Sequence, residues 1–134
     1  MNVLKFINKK LIFLKLDKKM SYIKELFEPW FSLVKFNIKT CEGFLYKDEW
    51  KRIENGCTIL FTNNDLGFER KHKVKVIYIN HYLKIHKFLE NESIKKCLPG
   101  VENIKDGVHI YRKYYSEYDE NNYGIVSITF ISVD

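Results

Sequence analysis

The chain has 134 residues, 46% hydrophobic and 16% aromatic, enough to bury one core without disulfides or a metal and the length of a single ordinary domain. Its formal charge is +6, but residues 1–19 carry Lys5, Lys9, Lys10, Lys15, Lys18 and Lys19 against Asp17, a net of +5. Only +1 remains for residues 20–134, so any nucleic-acid binding by the body must come from local clustering and stacking surfaces, not from its overall field.

Cys41, Cys57 and Cys97 are odd in number and lack metal-ligand spacing, which argues against a disulfide framework or a zinc site and for reduced, buried thiols in a cytoplasmic setting. Only Arg52, Arg70 and Arg112 are arginine in a chain rich in Lys, Asn, Ile, Tyr and Phe, the bias of an AT-rich genome.

Residues 1–19 form a basic N-terminal extension. Its apolar part, Leu11 to Leu16, is broken by Lys15, is too short to span a bilayer and is followed by no small-residue cleavage site, so no membrane partner is expected. The extension is expected to be either poorly ordered or a short added strand, with the domain proper over 20–134.

Ser21 to Phe27 alternates apolar and polar residues and predicts a strand. Glu28-Pro29 opens a helix, with Trp30, Leu33 and Val34 at core-facing spacing. Thr40 to Tyr46 returns to extended structure, and Lys47 to Ile53 is a polar excursion with Trp50 and Ile53 as its anchors, the tryptophan a lid on the core. A turn at Glu54-Asn55-Gly56 precedes a strand at Cys57–Thr62, a hairpin tip at Asn63–Gly67 and a strand at Lys73–Ile79, with Val74 and Val76 on one face. Ile85, Phe88 and Leu89 predict a short helix that ends by Pro99-Gly100. Asn103 caps a last helix with Ile104, Val108, Tyr111 and Tyr115 as its buried stripe, and Tyr123–Val133 is a final β-branched strand. Short strands joined by turns favour an α+β domain on a mostly antiparallel, curved sheet or small barrel.

The polar chemistry gathers where the first helix hands over to a strand, at Lys39, Thr40 and Glu42. Element boundaries of this kind are where small domains hold binding clefts. Lys39 can hold a ligand oxygen or move a proton, Thr40 offers a hydroxyl, and Glu42 can accept a hydrogen bond from the amino edge of a base. Aromatic rings complete a base site by stacking; Trp30, Tyr46, Trp50, Tyr111, Tyr114 and Tyr115 are available. His72, His81, His86 and His109 show no metal pattern, and no Gly-rich phosphate loop is present.

Five segments in register, Asn37 to Phe44, Gly56 to Phe61, Tyr82 to Glu92, Leu98-Pro99-Gly100 and Tyr115 to Val126, resemble the ASCH domain of the PUA-like superfamily over about residues 21–131. The chain departs from that pattern with Asn37 for a glycine, Phe44 for an arginine and Cys57 for an aspartate; Asn37 can still adopt the left-handed turn. The resemblance implies a PUA-like small curved β-barrel with two or three flanking short helices. It also implies RNA or nucleotide recognition, including modified nucleosides, in a cleft between the first helix and the barrel, with no cofactor or metal. The ligand-binding residues it points to are Lys39, Thr40, Glu42, Trp30 and Tyr115. One branch of the family is an amidohydrolase of 4-acetylcytidine, so a metal-independent enzyme acting on an acylated nucleoside is the alternative. Its residues here are Lys39, Thr40 and Glu92, or Glu90 in place of Glu92. By register the branch's threonine falls on Glu42, with Thr40 the nearby hydroxyl. A third alternative is a protein-interaction adaptor with a vestigial cleft.

Overall fold

The computed structural model describes residues 2–4 and 20–133. The question of order or an added strand over 1–19 lies outside the described residues apart from 2–4. In chain order the elements are β1 (Ser21–Glu25), α1 (Trp30–Lys35), β2 (Cys41–Leu45), a 3-10 turn (Asp48–Arg52), β3 (Thr58–Asn63) and β4 (Arg70–Tyr82). They continue with α2 (Ile85–Glu92), α3 (Ile94–Cys97), α4 (Ile104–Arg112), α5 (Glu117–Tyr123) and β5 (Ile125–Ser132).

The five strands form one sheet in the order β1-β3-β4-β5-β2. Only β1 runs parallel to its neighbour, β3; the other three pairings are antiparallel. The sheet curls into a half-barrel, the curved α+β architecture expected of the chain. β4 extends well beyond the expected Lys73–Ile79 because it pairs along its length with β3 on one side and β5 on the other. A register shift between Val76 and Tyr78 bends it where it passes from one partner to the other.

The concave side is filled by alternate residues of every strand. Tyr22, Ile59, Phe61, Val74, Val76 and Phe130 are among them, plugged by Phe31 and Val34 of α1 and lidded by Trp50. Trp50 stacks on Phe44 at 3.9 Å and 2°, so the tryptophan is the lid its position predicted. The expected core stripe of α1 shifts by one residue: Phe31 and Val34 are buried, whereas Trp30 and Leu33 are half-buried.

A second core lies on the convex side. There Ile85, Phe88 and Leu89 of α2, with Cys97, Leu98 and Tyr111, cover Cys41 and Ile125 at the β2–β5 end of the sheet. Gly43 sits under this layer, where an added Cβ would stand 2.7 Å from the Phe88 ring. Two helices exceed the expected number, α3 and α5. The second starts at Ser116, whose hydroxyl accepts from Asp119 N, a Ser-x-x-acid signal readable in the sequence. No helix among the described residues is long and apolar enough to cross a membrane.

Candidate functional site

Among the described residues β1 and β2 are the two edges of the half-barrel, and no strand bridges the seam between them. β2 pairs with β5 through its even residues, since Phe130 N donates to Thr40 O; the Cys41 and Gly43 carbonyls therefore point to the free edge. Side chains cap them. Lys39 Nζ donates to Cys41 O at 2.8 Å and also to Cys97 O of α3, and the Tyr115 hydroxyl donates to Gly43 O at 3.0 Å. An exposed edge is thus closed by a buried cation and a phenol instead of another strand.

The turn that delivers these residues depends on Asn37, which takes φ 63° as expected, and whose side chain accepts from the Ser132 hydroxyl at 2.7 Å. Ile38 N and Lys39 N both donate to Leu33 O, which folds Lys39 back under the sheet. Its side chain is fully buried.

A cavity of about 300 Å³ occupies the seam. One lip is the end of β1, Lys24 to Phe27; the floor is Glu42 with Phe44. Trp30 forms one wall, and Tyr111, Tyr114 and Tyr115 from the end of α4 and the loop after it form the other. At the mouth, Phe27 and Tyr114 lie nearly parallel, 12° apart with ring centroids at 6.3 Å.

Glu42 is the acidic centre of this cavity and is largely buried. Oε1 accepts from Gly43 N at 2.9 Å and from the Tyr111 hydroxyl, while Oε2 stands 3.4 Å from Lys39 Nζ. A carboxylate offers about four acceptor positions, so three partners leave one on a side chain that lines the cavity. Lys39 has no such surplus. Its three protons go to Cys41 O, Cys97 O and Glu42, which leaves the ammonium to hold the carboxylate in place. Burial, then the neighbouring Glu42 charge, pushes the phenols of Tyr111 and Tyr115 well above the ordinary tyrosine value, so both stay neutral donors.

Of the residues predicted from sequence, Trp30, Glu42 and Tyr115 line the cavity, with Lys39 directly behind Glu42. Thr40 and Glu92 do not line it. Thr40 spends its backbone on Lys96 O and Phe130 N immediately before β2. Glu92 ends α2 and accepts from the Tyr82 hydroxyl at 2.7 Å, and Glu90 pairs with Lys87 and His86 on the exposed face of the same helix. Tyr111 is the partner that sequence reasoning placed on a buried stripe without its bond to Glu42. A buried tyrosine hydroxyl needs an acceptor, and that requirement was the available signal. No group of three or more His, Cys, Asp and Glu side chains among the described residues could hold a metal ion.

The crystal structure of hypothetical protein PH0355 superposes with a TM-score of 0.76 at 37% identity, covering 85% of this chain and all 100% of that one. The chain belongs to the PH0355 family. The solution structure of PF0455 from Pyrococcus furiosus shares it at 34% identity and TM-score 0.69, over 86% of this chain and 99% of that one. EF3133 from Enterococcus faecalis V583, a DUF984 protein, has the same fold at 12% identity and TM-score 0.62, over 99% of this chain and 93% of its own. No family model and no curated protein matches the sequence. The PH0355 family thus shares the half-barrel whose open seam holds the Glu42 cavity in this chain.

Proposed function

We infer that the chain is an RNA- or nucleotide-binding module of the ASCH, PUA-like type, which takes one nucleobase into the seam cavity. The supporting observation is the single spare acceptor position of Glu42 at the floor of an aromatic-walled cavity of about 300 Å³. An acceptor-only carboxylate takes an N–H from the amino group of cytosine, adenine or guanine, whereas uracil offers it only N3–H, flanked by two carbonyl oxygens that the carboxylate repels. The rings around it supply stacking of about 1–3 kcal/mol per base. Lys39 is then a positioning residue for Glu42. Hydrolysis of an acylated nucleoside has less behind it, because Thr40 and Glu92 stand outside the cavity and the two hydroxyls bonded around Glu42 and Gly43, those of Tyr111 and Tyr115, are phenols that burial keeps protonated.

Isothermal titration with cytidine and uridine tests this reading. Cytidine should bind about tenfold or more tighter than uridine, the worth of one good polar contact, and Glu42→Gln should narrow the gap. Equal binding of the two nucleosides, or no saturable heat with either, overturns it.

A further inference from the structure

The helices cover only half of the convex face. Among the described residues, no helix lies over β1, β3 and the first half of β4, and Lys71, Lys73 and Lys75 stand on that face at alternate positions of β4, all exposed. Alternate strand residues share a face and repeat about every 6.8 Å, close to the phosphate repeat of an extended single strand. Between and beside them the face is apolar and aromatic: Ile23 is 73% exposed, and Tyr78 and Ile131 are exposed as well. Lys73 and Lys75 have no carboxylate partner among the described residues; Lys71 pairs with Glu69 at 3.1 Å, both side chains open to solvent.

The register ties this row to the cavity. Lys71 pairs with Thr62, and Thr62 with Glu25, so the end of the row is two strand spacings, about 10 Å, from a residue of the cavity lip. At the other end Lys75 pairs with Thr58, and Thr58 with Ser21, where the chain enters from residues 1–19 with their net charge of +5. A domain body with a net charge of only +1 thus concentrates three unopposed or solvent-paired lysines on one strand, leading from the cleft to the basic leader.

We propose that this face is a track for the sugar–phosphate backbone of single-stranded nucleic acid, with Lys71, Lys73 and Lys75 each neutralising one phosphate while a neighbouring base occupies the cleft. The proposal rests on the cleft reading for the base and narrows the ligand from a free nucleotide to a polynucleotide.

The full chain is titrated with cytidine monophosphate and with a ten-residue oligocytidine by fluorescence anisotropy or calorimetry between 50 and 200 mM salt. Each phosphate contact on a single strand contributes about −0.7 to the slope of log affinity against log salt. A Lys71→Gln/Lys73→Gln/Lys75→Gln variant should therefore bind the oligomer with a slope shallower by about 2, while its affinity for the mononucleotide stays at the wild-type value. The corresponding triple arginine variant should retain the wild-type slope, which separates lost charge from a damaged sheet. An unchanged slope in the glutamine variant overturns the track, as does an oligomer that binds no tighter than the mononucleotide. Lysine-dependent binding to phosphatidylserine vesicles without oligomer binding overturns it in favour of a membrane surface. Should the mononucleotide fail to bind while the oligomer shows the lysine-dependent slope, the track stands and the cleft reading falls.

Discussion

Lys39 and Glu42 hold each other in a place where neither tolerates isolation. Replacing Lys39 by methionine removes the donor for the Cys41 carbonyl of the sheet edge and the Cys97 carbonyl of α3, and leaves a carboxylate buried beside two phenols. Breaking one side of such a pair costs about 3–5 kcal/mol, so Lys39→Met should lower the urea midpoint far more than Lys71→Gln on the open face. Gly43 is constrained for a different reason. A methyl group there meets the Phe88 ring at 2.7 Å, and Gly43→Ala should cost about 1–3 kcal/mol by overpacking, with part recovered when Phe88 is cut to leucine. Residue-scale roles were only half legible in the sequence. Lys39, Glu42, Trp30 and Tyr115 were singled out because unlike chemistries crowded into one short segment or matched one motif. The fold decides that Lys39 lies beneath Glu42, because it turns on which carbonyls of β2 are left unpaired, a fact of sheet order that no local pattern carries.

At the scale of elements, periodicity identified every strand core. Val74 and Val76 share the concave face, Asn103 caps α4 through Asp106 N, and the turn at Asn37 has the positive φ expected. Converting Asn37 to alanine should therefore cost about 1 kcal/mol, because alanine tolerates the left-handed region less well than asparagine and the Ser132 hydroxyl loses its acceptor, measured as a fall in ΔG of unfolding. The short helices were harder to see. α3 has four residues, Ile94–Cys97, too few for a 3.6-residue repeat to register. The parallel pairing of β1 with β3 was also hidden, since alternation shows which face of a strand is buried and is silent about its neighbour.

Across the whole molecule, alkaline pH should be the weak side. Tyr82, Tyr111 and Tyr115 all have phenol values raised in the fold, by burial first, with Glu92 acting next on Tyr82 and Glu42 on the other two. The native state keeps these protons when the unfolded chain has released them. Stability is therefore fully present below pH 10 and falls above it, by up to about 1.4 kcal/mol per pH unit for each phenol. Thermal melts from pH 8 to 11 should show a flat midpoint that drops beyond 10, and Tyr111→Phe should make the drop less steep. A midpoint that rises across that range contradicts the burial of these hydroxyls.

β5 occupies an inner place in the sheet, between β4 and β2, although it is made after both. During synthesis β2, at Cys41–Leu45, waits for a mate until Ile125–Ser132 has left the ribosome, so the sheet cannot be completed before then. Because so distant a pairing is slow to find, the nascent domain carries an unpaired strand and bare apolar rings from the emergence of β2 to that of β5, the interval in which a chaperone matters most.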